Sequence, residues 1–312
     1  MGIYNLNKFL INKCSKDAIY KINLNTLQHK TIVIDTSIYL YKFIGQNRLI
    51  EHFYLLISIL LYNKITPIFV FDGKPPPEKM DILRQRKENK KEAKHQYYLL
   101  QESINDETTE EEKNSIMSKM ANLKKEFIRI SDSDIKNVKT LLELYGVCYI
   151  EASGEADVVC SNMVINGEAW ACLSDDMDMF LYGCNRVLRF ISLLNHSVII
   201  YDTATILREL NMDINCFRYF TIPCGTDYNI NTKITLSQMM KHYTSYKNQN
   251  SENKSFDKYL IENNITDDSI YELCDMFCFI DKNIIDNELI HNFTKNVTKL
   301  REFLILYGFI FI

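Results

Sequence analysis

Glycine and proline are scarce in this chain, at 9 and 5 of 312 residues. That excludes collagen-like and Pro/Gly-rich low-complexity architectures, and it makes each glycine-bearing turn conspicuous. A basic excess is missing too: 36 Lys and Arg stand against 40 Asp and Glu, a net charge of −4. Any contact with a polyanion must therefore come from local charge. No apolar run reaches the roughly 18 residues of a membrane span; the longest, FYLLISILLY at 53–62, has the length of a buried helix. Neither GxxxxGK[ST] nor GxGxxG occurs, which removes the P-loop and dinucleotide readings. The six histidines are scattered and no CxxC pair exists, so neither structural zinc nor a nucleophile triad is expected. The nine cysteines are odd in number with no secretory segment ahead of them, and are expected as reduced thiols of an intracellular protein.

What the chain does hold is a set of carboxylates, each close behind an apolar strand-like run or opening the helix after one. TIVID ends in Asp35 and PIFVFD in Asp72. VCYI runs into EASGEAD, with Glu155 and Asp157. AWACLSDDMD carries Asp176 and Asp178, and IPCGTDY carries Asp227. In an open α/β sheet, ligands gather beyond the carboxyl ends of the strands. Acids converging there repel one another, and a divalent cation is the common reason for them to do so. Each block alone has a plainer reading. VFDGKPP (70–76) could be a turn, GEAD (154–157) a pair of helix-capping acids, and SDDMDMF (174–180) a chance DxD.

Strand-like runs at 31–35, 66–71, 147–150, 169–174, 186–190 and 197–201 alternate with helical ones. An apolar helix is expected near 48–63, and another opening at Gly154-Glu155. This alternation predicts a layered α/β domain with a mostly parallel central sheet. Residues 79–135 interrupt it. Residues 79–100 read as a helix with seven basic residues against three acidic, and 115–130 as a second helix beyond the acidic run at 106–112. Taken alone, this is a solvated helical hairpin. Beyond 228 the chain turns polar and helical, with a loose stretch near 244–256.

Taken together and in order, these blocks resemble the flap endonuclease/XPG family of structure-specific 5′ nucleases. MGIYNLNKFL is similar to the family's opening, TIVIDTSIYLYKF to its first acidic strand and ITPIFVFDGKPPPEK to its VFDGxPP block. LLELYGVCYIEASGEAD is similar to its paired-acid block, LSDDMDMFLYG to its DxD block and CGTDYN to its last acid. The likeness is collinear over about residues 1–230.

The resemblance implies a three-layer, PIN-like α/β nuclease domain over 1–230, with a helical arch inserted at 79–135 and a small helical C-terminal region over 231–312. It implies metal-dependent cleavage of DNA at 5′ flaps or branches, with two Mg²⁺ ions and Mn²⁺ as a substitute. Asp35, Asp72, Glu155 and Asp157 would surround one ion, and Asp176, Asp178 and Asp227 the other. Lys79 and Arg86 would meet the scissile phosphate, Tyr41 would stack on a terminal base, and Gly2, Arg48 and Gly225 would contact DNA. The implied setting is the nucleus, or a cytoplasmic replication site for a viral member.

There are departures. Asp157 stands where flap endonucleases usually carry Glu and the exonuclease branch carries Asp. The Gly-Ile-Gly hairpin that grips duplex DNA is replaced by NINTKITLSQMMK (229–241), leaving Lys233 and Lys241 as candidate substitutes. A second Arg expected at 53–62 is absent, and no sliding-clamp motif is evident. A 5′ exonuclease, an RNA-directed nuclease of the same fold, and a non-catalytic scaffold for branched DNA stay open as alternatives.

Overall fold

The computed structural model describes residues 3–104, 109–229, 234–249, 254–278 and 289–311. The chain opens with α1 (Leu6–Lys13), β1 (Ile19–Asn23), β2 (Thr31–Asp35), α2 (Thr36–Gly45), α3 (Leu49–Tyr62) and β3 (Thr66–Phe71). The charged excursion follows as α4 (Met80–Glu102) and α5 (Glu110–Glu126). The chain then returns through α6 (Asp132–Tyr145), β4 (Tyr149–Glu151), α7 (Ala156–Ile165), β5 (Ala171–Leu173), β6 (Arg186–Ser192) and β7 (Ser197–Asp202). It closes with α8 (Thr203–Leu210), α9 (Ile214–Thr221), α10 (Leu236–Asn248), α11 (Phe256–Glu262), α12 (Ser269–Asp275), β8 (Leu289–His291) and α13 (Val297–Leu306).

The eight strands form one sheet in the order β1-β7-β6-β5-β2-β3-β4-β8. Its centre is parallel: β6 pairs with β5, β5 with β2, β2 with β3 and β3 with β4. The antiparallel pairings lie toward the edges, where β1 and β6 flank β7, and β8 joins β4. The central strands read as unbroken apolar runs because both faces are covered. Under one face, α7, α9, α10 and α1 pack around Phe180, Phe217 and Phe220. Under the other, α2, α3, α6 and α13 pack around Tyr39, Phe53 and Phe69. The result is three layers, as the sequence predicts. Parallel strands share one carboxyl end, and this places the residues after β2, β3, β4 and β5 on the same rim.

The excursion is a helical hairpin whose helices pack on each other. Only Ile82 and Ala93 of α4 are buried, and none of α5 is. The second helix starts before its apolar residues because Thr109 and Glu112 form a capping box. The hairpin's two legs are braced against each other where α5 ends: Lys90 donates to the Ile128 carbonyl at 3.2 Å, and Tyr97 meets Phe127 with ring centroids 5.5 Å apart. After the helices that follow Asp227, the chain comes back to the sheet through β8, and α13 packs on α6.

Candidate active site

Asp35, the last residue of β2, is also the N-cap of α2. Its carboxylate accepts from the Ser37 amide at 3.2 Å and from Ser174 Oγ at 3.1 Å. Asp72 follows β3 and accepts from the Ala156 amide at 2.9 Å, so an acid behind one strand caps the helix that follows the next. The Ser37 hydroxyl donates to the other Asp72 oxygen, tying these two acids through a single serine. Gly73 makes the arrangement possible. Its amide donates to the Gly154 carbonyl at 2.7 Å, and a Cβ at this position would lie 2.0 Å from the Ala152 carbonyl oxygen. Only glycine lets the loops behind β3 and β4 clasp so closely.

Glu155 opens α7 and is held from two sides. Lys79 Nζ lies 2.6 Å from Oε1, and the Tyr228 hydroxyl donates to Oε2 at 2.7 Å. The same ammonium sits 4.7 Å from the centre of the Tyr228 ring. Burial alone would lower the pKa of Lys79, but Glu155, Tyr228 and Asp157 carry it above the ordinary lysine value. Lys79 is therefore a fixed cation.

Behind β5, the Asp176 amide donates to Ser174 Oγ at 3.1 Å, and the Asp178 amide donates to Asp176 Oδ1 at 3.0 Å. Asp227 arrives from the opposite direction, after α9. Gly225 takes a φ of 108°, open to glycine and strained for other residues, and a short bridge between Thr226 and Asn229 follows. Arg86 Nη2 reaches Asp227 Oδ2 at 2.7 Å.

The charge pattern sorts the acids. Burial, with repulsion from Asp72 and Asp176, raises the pKa of Asp35 to about 8. Burial and the same neighbours, with Asp35, push Asp157 well above the carboxylate range. Burial, with Asp176 and Asp227, does so for Asp178. Asp176 thus acts on both groups and lies between them. Asp178 Oδ1 is buried without a hydrogen-bond partner among the described residues.

Mutually repelling, all-oxygen donors and an orphaned buried carboxylate oxygen fit a hard divalent cation. Among the described residues, no three Asp, Glu, His or Cys side chains form a ready-made cage. Mg²⁺ does not require one, since it is held through one or two carboxylates together with water and phosphate.

The other expected residues lie farther out. Tyr41 on α2 is 38% exposed, with Lys90 Nζ 4.9 Å over its ring. Arg48 precedes α3 and pairs with Glu51 at 3.0 Å in solvent, with no described contact to the acids. Gly2 lies outside the described residues.

Comparison with known proteins matches the XPG N-terminal domain to residues 1–93 and the XPG I-region to residues 146–227. A flap endonuclease 1 of Methanococcus aeolicus is 31% identical over 318 residues, covering 93% of this chain and 88% of that protein. The chain belongs to the flap endonuclease/XPG family.

Like its relatives in the flap endonuclease/XPG family, it is a phosphodiester hydrolase, and the family's nucleases are metal-dependent. A probable RAD2-like endonuclease of Invertebrate iridescent virus 6 is 29% identical, over 74% of this chain and 68% of its own. The flap endonuclease-1 structure from Methanococcus jannaschii superposes with a TM-score of 0.62 at 25% identity, covering 93% and 91%. The catalytic core of Rad2 in complex with DNA substrate shares the fold, with a TM-score of 0.69 at 20% identity and coverage of 99% and 96%.

Motif reading passes over Ser37, Ser174 and Tyr228. Ser37 and Ser174 touch two acid positions each, and Tyr228 holds Glu155 while stacking under Lys79. Their one sequence signal is adjacency, each standing one or two residues from a candidate acid.

Proposed function

We propose that this family member cleaves DNA at 5′ flaps or branch junctions, using the acid cluster with two Mg²⁺ ions. One observation carries the reading. Acids from four strand ends and one distant turn gather on a single rim of the sheet, and the two cations at the foot of the hairpin are aimed into them. Asp35, Asp72, Glu155 and Asp157 would hold one ion, and Asp176, Asp178 and Asp227 the other, with Asp176 between. Bound there, the ions would supply Lewis-acid charge and lower the pKa of an attacking water.

The chain's own groups do the rest. Lys79 and Arg86 turn from Glu155 and Asp227 to the scissile phosphate, placing positive charge where the transition state gathers negative charge. Ser37 and Ser174 fix the orientation of Asp35 and Asp72. Tyr228 keeps Glu155 and Lys79 in reach of each other. Tyr41 offers a stacking face once Lys90 is displaced, while Arg48, Gly225 and Gly2 would touch backbone. The working unit is 1–230, with the arch at 79–135; residues 231–312 form a C-terminal region that returns β8 and α13 to it. Acting on DNA, it works inside the cell, in the nucleus or at a viral replication site.

The deciding experiment incubates the purified chain and Mg²⁺ with 5′-flap, nicked, gapped and RNA-containing substrates, beside an EDTA control. Cleavage at the flap base that EDTA abolishes is expected. Stepwise release of nucleotides from a nick would instead assign the exonuclease branch, to which Asp157 belongs. Binding of branched DNA without any cleavage in Mg²⁺ or Mn²⁺ would leave a scaffold.

A further inference from the structure

Arg189 of β6 is 4% exposed, and among the described residues it forms no ion pair. The other buried residues of this strand, Val187, Leu188 and Ile191, are apolar. A guanidinium is costly to take out of water, and a hydrophobic side chain would fill such a place without that cost. Its contacts show what it does there. Nη2 donates to the Asp175 carbonyl at 2.7 Å. Nη1 donates to Asn7 Oδ1 of α1 at 2.8 Å and touches the Met177 sulfur. Asn7 Oδ1 also accepts from the Tyr201 hydroxyl at 2.7 Å. The guanidinium lies 4.6 Å from the centre of the Phe190 ring and 5.3 Å from that of Tyr201. The strand is irregular just past it: the pairing with β7 shifts register between Arg189 and Ser192, and Phe190 takes a φ of 54°. That left-handed conformation is uncommon for a residue with a side chain. There the Phe190 amide donates to Asp175 Oδ1 at 2.8 Å.

We infer that Arg189 is a positioning residue for the metal site, its guanidinium holding the peptide between Asp175 and Asp176 and, through it, the carboxylates of Asp176 and Asp178. The inference rests on the function proposed above for the acid cluster. The Asp175 carbonyl and the Asp176 amide belong to one planar unit. Arg189 holds the carbonyl and Ser174 Oγ holds the amide, so the plane is fixed from both sides. The orientation passes on, because the Asp178 amide donates to Asp176 Oδ1 at 3.0 Å. Asp176 is the acid that acts on both Asp35 and Asp178, so a tilt of this peptide would disturb both groups of acids at once. Groups that bind a ligand's own support, one step removed from a metal, set the direction in which its donor atoms point. Arginine suits the task because its planar fork serves the loop with one nitrogen and α1 with another. Lysine brings a single nitrogen, and an apolar residue brings none.

The test replaces Arg189 by Met, which keeps length and removes the donors, and by Lys, which keeps the charge and one nitrogen. Mn²⁺ titrated into the DNA-free protein is followed by calorimetry, and single-turnover cleavage of a 5′ flap is followed across a Mg²⁺ series. Arg189→Met should weaken Mn²⁺ binding and raise the Mg²⁺ concentration for half-maximal cleavage, each by about tenfold. Excess Mg²⁺ should restore most of the rate, and affinity for the flap in EDTA should stay at the wild-type level. Arg189→Lys should recover part of both metal readouts. Leu304→Ala, a cavity in the distant α13, should lower the thermal midpoint and move neither readout. If Arg189→Met does not fold, Asn7→Ala takes its place. Asn7 is half-buried on α1, and its loss withdraws the acceptor from Nη1, so Mn²⁺ binding should weaken in the same direction by a smaller factor. Wild-type Mn²⁺ affinity and Mg²⁺ dependence in the folded variant overturn the inference, leaving Arg189 a structural residue. So does an equal drop in flap affinity in EDTA, which would make it a DNA contact. Calorimetry is read without DNA or turnover. A wild type that binds Mn²⁺ and cleaves nothing therefore defeats the proposed function, while the comparison of variants still decides whether Arg189 positions the acids.

Discussion

Arg86 Nη2 donates to Asp227 Oδ2 at 2.7 Å across 141 positions of sequence, fastening the foot of the hairpin to the last acid of the rim. Lys79 makes the equivalent contact with Glu155 at 2.6 Å, more deeply buried. Lys79 and Arg86, at the foot of the hairpin, are therefore each ion-paired to an acid of the rim.

If Lys79 and Arg86 meet the scissile phosphate as proposed, Lys79→Ala and Arg86→Ala should each lower the single-turnover rate more than the affinity for DNA, since such a contact tightens in the transition state. Lys79→Ala should in addition cost about 3 kcal/mol of stability, as expected when a buried pair loses one partner. Neutralising Lys90, Lys91 and Lys94 should instead weaken binding and flatten its salt dependence. Equal rates once bound, for all five changes, would remove Lys79 and Arg86 from the chemistry.

Asp176→Asn or Asp178→Asn should abolish cleavage while leaving DNA binding nearly unchanged. An amide keeps the shape of the side chain and removes the charge. The expected loss is on the order of 10³-fold or more, the effect of several kcal/mol of charge stabilisation. Near wild-type turnover at saturating Mg²⁺ in either variant would sink the assignment.

Gly73→Ala places a methyl group 2.0 Å from the Ala152 carbonyl oxygen, and backbone must move to admit it. A loss of about 1–3 kcal/mol is expected, the usual cost of overpacking, read by thermal unfolding. Activity should fall with it, since Asp72 and Glu155 are carried by the two loops concerned. A variant as stable and active as wild type would show that the clasp is dispensable.

The pH dependence of the metal-free protein follows from the crowded acids. Burial and repulsion from Asp72 and Asp176 hold the folded-state pKa of Asp35 at about 8, against 3.8 for the ordinary group; burial and acid neighbours move Asp157 and Asp178 in the same direction. The folded state therefore binds more protons than the unfolded one between these values. Their contribution to stability is full below about pH 4 and is lost as pH rises through about 8. Thermal midpoints in EDTA should fall across that window once other groups are matched by an Asp35→Asn control. Mg²⁺ should restore stability more strongly at the upper end, by about 2.7 kcal/mol at 100 times its Kd. A flat profile in EDTA would contradict the crowding.

The rim was legible because the central strands are buried on both faces. TIVID and PIFVFD are unbroken apolar runs, and the first acid after each marks where burial stops. The two antiparallel edge strands were not. β1, IYKIN, shows Tyr20 and Lys21 to solvent, and β8 is three residues long, fixed by pairing with β4 across 138 positions between Glu151 and Leu289. β4 begins two residues later than expected, at Tyr149, where it meets Phe69 of β3. The acids carry their own signal, residue type and spacing. Ser37, Ser174 and Tyr228 carry only their nearness to an acid, because a hydroxyl matters through the partner that the fold brings to it.

The clasp between Gly73 and Gly154 has a consequence for length. It joins the two ends of the segment that holds the excursion, α6 and β4, and with the β3–β4 pairing it keeps Asp72 and Glu155 in register. Lengthening the tip between α4 and α5 then carries only the entropy of a larger closed loop, about 0.6 kcal/mol per doubling. The hairpin is thus free to change length while Asp72 and Glu155 keep their places on the rim.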